Sequence, residues 1–402
     1  MLAAQRIVLG VTGSIACYKA VDLASKLAQA GAVVDVILTR SAQEFVRPIA
    51  FRSVTHQPVV TDLFDPDSEL AVEHVALAKR ADIVIVAPAT ANVIAKMANG
   101  LADDALTCTI LATRAPVVVA PAMDAHMYDN AATQENLKRL RERGVTIVGP
   151  AHGHLASGLT GMGRLAPVEE IMAVASMLQG RAKGDLAGRS IVVTAGGTQE
   201  PIDPVRYVGN RSSGKMGFAI AEAARDRGAR VTLITAPTYL PDPVGVETVR
   251  VQSAREMQAV VQKAVAKADA LTMAAAVADY RPTKTASQKI KKTQDTLNVE
   301  LVKNPDILAE LRGDFVRVGF AAESQDVIAN AQAKLRRKNL DMIVANDVSA
   351  RDSGFTVDTN RVTILDRSGR MEELPLLLKS EVAHRILDRV AALLRKRGKK
   401  RA

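Results

Sequence analysis

Tryptophan is absent from this 402-residue chain, and aromatic residues of all kinds make up only 3% of it. Proteins that grip single-stranded nucleic acid use rings on which bases stack, and no ring interleaves with the basic clusters here, which argues against a nucleic-acid partner despite a net charge of +10. Cysteine is scarce too. Cys17 and Cys108 are the only two, too few for a disulfide framework or a zinc site, a usage that points to a reducing compartment. No apolar run approaches the roughly 18 residues a membrane helix needs. The chain enters a strand pattern at once, with no signal-like segment before it, so a cytoplasmic location without membrane partners is expected.

Length and charge then set the scale. At 402 residues the chain exceeds one ordinary core and is expected to hold two domains. Its 48% apolar and 24% charged residues are usual for folded proteins. Residues 1–180 carry 15 Lys and Arg against 17 Asp and Glu, whereas residues 181–402 carry 38 against 26. The positive excess therefore lies in the second half. Six of its cations form the stretch from Arg395 to Arg401, read as a solvated basic end. Others cluster at Lys289–Lys292 and Leu335–Lys338, where they suit a polyphosphate or nucleic acid.

Short apolar strands alternate with helical periodicity throughout, which predicts an α/β protein of two doubly wound, Rossmann-like domains with mostly parallel sheets. Near-continuous Val, Ile and Ala runs at Arg6–Val11, Ala32–Leu38, Asp82–Ala87, Val117–Ala120 and Val145–Val148 suit strands buried on both faces. A second set opens at Ser190–Thr194 and continues through Val231–Ile234, Ala270–Ala274, Val316–Phe320 and Met342–Ala345. Residues 354–374 alternate like an antiparallel hairpin, and an amphipathic helix is expected from Lys379 to Leu394. The expected division is a first domain over 1–180, a Gly-rich linker over 181–189 and a second domain over 190–402.

In the first half, the turn GVTGSIACYK joins strand to helix with Gly10 and Gly13, so that backbone N–H groups at a helix N-terminus face an anion. It is not G-x-G-x-x-G, and the second strand ends in Leu38-Thr39-Arg40 where a dinucleotide site uses an acid. One terminal phosphate fits better than a pyrophosphate. An NADP reading through Arg40 stays open, as does a plain tight turn. VIVAPATANVIAKMANGLADD and VVVAPAMDAHMYDN each follow a strand, where open sheets place ligand loops. Pro88, Thr90 and Asn92 offer a rigid turn, a hydroxyl and an amide for a flat polar ring edge, while Met123 and Met127 read equally well as core.

GSIA-YK, the histidine of VEHVALAKRAD, APATAN and PAM-x-x-x-M-Y together resemble the homo-oligomeric flavin-containing cysteine decarboxylases, over essentially all of residues 5–180. The resemblance implies FMN bound between subunits and His74 as the catalytic histidine. It places Gly13, Ser14, Thr39, Ser41, Pro88, Ala89, Thr90 and Asn92 around the flavin, and Met123 and Asp124 at the substrate. It also implies the chemistry: loss of the cysteine carboxylate needs an electron sink, which the flavin supplies by oxidising the thiol-bearing carbon and then returning the hydride. Two residues depart from the family pattern. Asp124 stands where relatives carry the Asn of PAMN, and Ser157 stands in AHGHLASGLTGMGR where they carry a cysteine that donates the last proton. An ionised Asp repels a substrate carboxylate, and a hydroxyl is a far weaker acid than a thiol.

In the second half, TAGGTQEPIDPVRYVGNRSSGKMG approximates a P-loop from Gly209 to Met216 but lacks the hydroxyl that would meet Mg²⁺, and it does not leave a strand directly. Two Gly-rich turns instead flank a Pro-stiffened loop that presents Arg206 and Asn210. MAAAVADYRP ends a strand with small residues and Asp279. TKTASQKIKK, VKNPDIL, VGFAAES and AKLRRKNLDMIVAND follow in order. Taken together, these segments resemble phosphopantothenate–cysteine ligase in its bacterial, CTP-using form, over about residues 188–392. Both halves in this order resemble the bifunctional bacterial coenzyme A biosynthesis family. By that resemblance Asn210 stabilises an acyl-cytidylate, Lys289 the triphosphate, and Asp279 holds Mg²⁺ or the nucleotide. Ala274, Ala275, Phe320, Lys334, Lys338 and the backbone of Pro305, Asp306, Ile307 and Leu308 meet CTP.

Judged without the resemblance, Lys334 and Lys338 form one solvated helix face at i, i+4 spacing and Phe320 is core. The resemblance implies small-molecule partners (4′-phosphopantothenate, cysteine and CTP) and a homo-oligomer. The alternatives are a ligase whose flavin half is altered by Ser157 and Asp124, and an NADP-dependent oxidoreductase.

Overall fold

The computed structural model describes residues 2–64, 73–292, 295–323, 325–347 and 357–401. The chain divides into two compact units, residues 1–179 and 180–402.

In the N-terminal unit, strands β1 (Arg6–Val11), β2 (Val33–Leu38), β3 (Val59–Val60), β4 (Ile83–Ala89), β5 (Val117–Pro121) and β6 (Thr146–Ile147) form one parallel sheet in the order β3-β2-β1-β4-β5-β6. Helices α1 (Cys17–Gln29), α2 (Pro48–Thr55), α3 (Glu73–Arg80), α4 (Ala91–Asn99), α5 (Ala105–Ala112), α6 (Ala125–Asp129) and α7 (Ala131–Glu142) make the connections. A hairpin of β7 (Ala151–His154) and β8 (Thr160–Arg164) follows, and then α8 (Val168–Lys183). The apolar runs become strands because the sheet is covered on both faces. Val8, Ile37, Val84, Val86 and Val119 pack with Ile94, Leu106 and Leu137 of α4, α5 and α7. Burying each such side chain contributes roughly 1.5–3 kcal/mol. Local chemistry sets the helix ends. Thr90 caps α4 by accepting from the Val93 N–H, and Gly100 ends it with a left-handed turn. Asp104 and Thr107 form a reciprocal capping box on α5.

In the C-terminal unit the described strands are β9 (Ser190–Ala195), β10 (Gln199–Pro201), β11 (Tyr207–Gly209), β12 (Arg230–Thr235), β13 (Glu247–Arg250), β14 (Ala270–Met273), β15 (Tyr280–Pro282), β16 (Leu301–Lys303), β17 (Val316–Glu323), β18 (Met342–Asp347), β19 (Thr359–Asn360), β20 (Val362–Asp366), β21 (Met371–Glu373) and β22 (Leu377–Leu378). The helices are α9 (Lys215–Asp226), α10 (Ala254–Val265), α11 (Ile307–Glu310), α12 (Val327–Arg337) and α13 (Lys379–Arg401). The main sheet runs β13-β12-β9-β14-β17-β18-β20-β21, parallel as far as β18 and antiparallel beyond it. The expected hairpin is thus β20 and β21; its first residues, 354–356, lie outside the described residues. One face of the sheet packs on α9 and α13 through Phe218, Ile220, Val382 and Ile386, and the other on α10 and α12 through Met257, Val261, Ala331 and Leu335. Arg227, whose side chain is 7% exposed, joins Asp185 at 2.6 Å and Asp388 of α13 at 2.8 Å, which fixes α13 against α9.

Two boundaries differ from expectation. Helix α8 runs to Lys183, so residues 181–183 are helical where a linker was expected. The final helix runs on to Arg401, so the basic stretch continues its last turns. No helix among the described residues is long and apolar enough to cross a membrane.

Candidate active sites

In the N-terminal unit the strand order reverses between β1 and β4, where doubly wound sheets open a crevice at the carboxyl ends of their strands. The loops after these strands are tied together there. The buried Thr12 hydroxyl donates to the Pro88 carbonyl at 2.8 Å and accepts from the Thr90 N–H at 3.0 Å. Gly13 is required by space: a Cβ there would sit 2.5 Å from Cβ of Ser41. The turn leads into α1, where Ser14 accepts from the Ala16 N–H on its Oγ at 3.3 Å and from the Cys17 N–H on its carbonyl at 3.0 Å.

A cavity of about 610 Å³ opens at this turn. Gly13, Ser14, Thr90, Met123, Asp124 and Ser157 of the expected site line it, together with Ile15, Tyr18, Lys19, Met127 and Arg164. A strand-to-helix turn at a helix N-terminus, beside apolar walls, suits a phosphate-bearing flat ring. Lys19 and Arg164 were not expected. Burial, with Arg164 as the second cause, lowers the Lys19 amine below its ordinary value.

Thr39, Ser41, Pro88, Ala89, Asn92 and His74 do not line the cavity. Thr39 caps the short turn at Arg40–Ala42, Ser41 braces Gly13, and Pro88 and Ala89 are buried in the strand end. Asn92 lies exposed in the first turn of α4. His74 stands at the start of α3, its carbonyl accepting from Thr109 at 3.3 Å, and its Nδ1 is buried without a hydrogen-bond partner.

The two residues that depart from the family pattern meet. The Ser157 hydroxyl, in the β7–β8 turn, donates to Asp124 Oδ2 at 2.5 Å, and Asp124 Oδ1 caps α6 by accepting from the His126 N–H at 2.9 Å. The hydroxyl and the His126 amide hold the Asp124 carboxyl below its usual range, so it is ionised. The hairpin is fastened to the loop after β5 by a bond from the Met123 N–H to the Gly163 carbonyl at 3.0 Å. At Gly163, with φ +151°, a Cβ would strike the Met123 oxygen at 2.2 Å. Neither thiol replaces the missing cysteine. Cys17 is fully buried and burial raises its pKa; burial, then Asp104 and Asp103, raises that of Cys108.

In the C-terminal unit the order reverses between β9 and β14. The loops beyond them zip together: Ala275 N–H donates to Thr194 Oγ1 at 3.1 Å, Ala276 N–H to the Gly196 carbonyl at 2.8 Å, and Ala278 N–H to Thr198 Oγ1 at 2.9 Å. A cavity of about 440 Å³ sits over this zipper. Asn210, Ala274, Ala275, Asp279, Phe320 and Lys334 of the expected site line it. The Asn210 amide donates to the Val277 carbonyl at 3.0 Å, and Lys334 Nζ to the Phe320 carbonyl at 2.8 Å.

Lys338 does not line the cavity; it pairs with Asp306 at 2.9 Å. Asp306 caps α11, whose Ile307 and Leu308 are core residues, so that segment offers backbone alone. Asn304 ties it to the loop after β14 through the Ala278 carbonyl at 2.8 Å. Lys289 is exposed on a loop clasped to the β10–β11 hairpin. Asp203 accepts from the Ile290 N–H at 3.2 Å and pairs with Arg206, which donates to the Ile290 carbonyl at 2.8 Å. Arg206, which the Pro-stiffened loop presents, fastens this loop. Lys215, Asn346, Asn360 and Lys379 also line the cavity and were not among the expected site residues. Lys379 is 5% exposed, and burial, then Lys215, lowers its pKa to about 8.

Two doubly wound units, each with polar loops converging on its switch point, define a protein of two ligand sites. Residues 1–179 match the flavoprotein family, and residues 186–394 match the C-terminal domain of the DNA/pantothenate metabolism flavoproteins. The coenzyme A biosynthesis bifunctional protein CoaBC of Vibrio cholerae is 47% identical over 392 residues, covering 96% of this chain and 98% of that one. Its counterpart from Bacillus subtilis is 46% identical over 405 residues, the full length of both. A solved structure, the C-terminal domain of a CoaBC protein, is 41% identical over 53% of this chain and all of that one, with a TM-score of 0.46. The chain belongs to the family of bifunctional coenzyme A biosynthesis proteins, with a decarboxylase unit followed by a ligase unit.

Proposed function

We propose that the C-terminal unit joins cysteine to 4′-phosphopantothenate using CTP, and that the N-terminal unit decarboxylates the product to 4′-phosphopantetheine. The observation that carries this reading is the crevice over the β9–β14 zipper, where Asn210, small residues and Asp279 surround one cavity. A carboxylate is inert to an amine until activated. The substrate carboxylate attacks the α-phosphorus of CTP, pyrophosphate leaves, and the cysteine amine then displaces CMP from the mixed anhydride.

Asn210, held by Val277, presents its remaining amide proton to the acyl phosphate. Lys289 closes on the triphosphate. Ala274 and Ala275 leave room for the nucleotide at the backbone, and Phe320, Lys334, Lys338 and residues 305–308 frame it. Asp279 is exposed, and no group of three metal-binding side chains occurs among the described residues. One carboxylate suits Mg²⁺ that arrives on the triphosphate, where the ion neutralises developing charge.

In the N-terminal unit, Gly13, Ser14 and the first turn of α1 hold the phosphate of FMN, braced by Thr39 and Ser41, and the loop of Pro88, Ala89, Thr90 and Asn92 borders its ring. FMN, when bound, supplies the electron sink for loss of the cysteine carboxylate. Met123 and Asp124 border the substrate. His74 is assigned the catalytic role at the site of a second copy. Ile15, Tyr18 and Met127 line the cavity while 61%, 64% and 50% exposed, a wall that supports a site shared between copies.

Asn210→Asp tests the ligase assignment. Quenched reactions should show acyl-cytidylate accumulating while phosphopantothenoylcysteine formation falls at least about a hundredfold. Full activity in this variant would refute the role of Asn210.

A further inference from the structure

Lys19 and Arg164 reach the N-terminal cavity from two separate elements, and neither has a role in the reading above. Lys19 stands half-buried in the first turn of α1, its Nζ 5.9 Å from the centroid of the Tyr18 ring. Arg164 ends β8, and its side chain lies over Gly153 of the facing strand, where a Cβ would come 3.3 Å from the arginine Cδ. The bond from the Met123 N–H to the Gly163 carbonyl fastens that strand end at the cavity. Among the described residues neither cation donates a side-chain hydrogen bond or joins an ion pair. The two charges feel each other, since Arg164 is the second cause, after burial, of the lowered Lys19 pKa. Asp124, the one acid in the wall, is taken up by Ser157 and the His126 amide.

Two cations on one cavity wall fit an anionic group of the ligand. The decarboxylase substrate carries two such groups, a carboxylate and a phosphate, and the reaction treats them differently. The carboxylate leaves as neutral carbon dioxide, so a cation fixed on it would stabilise the starting state and oppose its departure. The phosphate keeps its charge from substrate to product. Cations on the phosphate bind substrate and transition state alike, which lowers KM without hindering the chemistry. An ammonium group and a guanidinium fork together match the several oxygens of a tetrahedral dianion.

We propose that Lys19 and Arg164 form the subsite for the terminal phosphate of phosphopantothenoylcysteine in the decarboxylase cavity. The proposal rests on the decarboxylase reading above. It assigns the pair to the substrate and leaves the phosphate of FMN to Gly13, Ser14 and the turn they form.

The test uses the full chain loaded with FMN and follows carbon dioxide release from phosphopantothenoylcysteine and from pantothenoylcysteine, the same molecule without its phosphate. Lys19→Met and Arg164→Met should each raise KM for the phosphorylated substrate about tenfold or more and change its kcat less than about threefold. For pantothenoylcysteine, kcat/KM should change less than about threefold in either variant. Lys19→Arg should recover most of the loss. Calorimetry gives a second reading that needs no turnover: 4′-phosphopantetheine should bind the wild type about tenfold or more tighter than pantetheine, and both Met variants should lose that preference. Equal losses on the two substrates, a change confined to kcat, or unchanged KM would overturn the proposal. So would weaker FMN binding with the preference for phosphate intact, which would give the pair to the cofactor. Should Lys19→Met fold poorly, Arg164→Met decides, since that residue is exposed. A wild type that releases no carbon dioxide while keeping the binding preference would count against the decarboxylase reading and not against the subsite.

Discussion

Replacing Asp124 by Asn should speed the decarboxylase. The Asp124 side chain is 26% exposed in the cavity wall and is held ionised by Ser157 and the His126 amide. A substrate carboxylate brought to this wall meets a like charge. Two unit charges 4 Å apart interact by about 1 kcal/mol in water and about 4 kcal/mol at the effective dielectric of a protein surface. A partly exposed site falls between, so the repulsion is roughly 1–3 kcal/mol, or about 5- to 150-fold in kcat/KM.

Asparagine preserves the fold at this position. Its amide oxygen keeps the cap on the His126 N–H, and Asn and Asp cap helices equally well, so stability should change by less than about 0.5 kcal/mol. Its amide nitrogen then donates to Ser157 Oγ, which reverses the present hydrogen bond and turns the serine proton toward the cavity. Carbon dioxide release from phosphopantothenoylcysteine, measured alongside the Tm, checks this. Turnover that falls while Tm is unchanged would refute the repulsion argument and make the Asp124 carboxylate a participant.

Two further outcomes follow from buried charges in the C-terminal unit. Asp203, fully buried, holds the Lys289 loop, and Arg206 keeps its carboxyl far below the usual range; the stability it contributes is present above the unfolded value near 3.9 and lost only as pH falls through the depressed one. Asp203→Asn should therefore speed trypsin cleavage at Lys289–Lys292 about tenfold or more at pH 7, and unchanged cleavage would contradict the clasp. Lys379 has the opposite sign, because its folded pKa lies below the unfolded one: the burial cost is present in full below about pH 8 and relieved as pH rises toward 10.4. Lys379→Met should stabilise this unit at pH 7 by about 1–2 kcal/mol, allowing for the lost Val357 bond, and should lose that advantage near pH 10 in urea titrations; a destabilised variant at pH 7 would refute it.

The parallel core was legible because strands covered on both faces leave unbroken Val and Ile runs, as at Ile83–Ala89 and Ser190–Ala195. Gly13 and Thr90 were legible because a tight strand-to-helix turn restricts residue type. The helical reach of α8 was not, since Gly180 suggests a break, yet a Cβ there would meet the Asp226 carbonyl at 2.0 Å: the glycine serves close packing. Lys334 and Lys338 read as a solvated face from spacing alone, whereas the fold brings them a backbone carbonyl 14 residues away and a carboxylate 32 residues away. Phe320 packs on the core and also lines the cavity. Lys379 carried no signal, because its burial depends on residues 215 and 357–360, which only the folded sheet brings to it. His74 was found by resemblance, and within one chain it stays outside the cavity.

The central claim is tested most directly by mixing the purified chain with 4′-phosphopantothenate, cysteine, CTP and Mg²⁺ and following product masses with time. The expected result is CMP and pyrophosphate in step with phosphopantothenoylcysteine, followed by 4′-phosphopantetheine 44 mass units lighter, the mass of carbon dioxide. A chain that consumes no CTP, or that forms the ligated product and never loses that mass, contradicts the account.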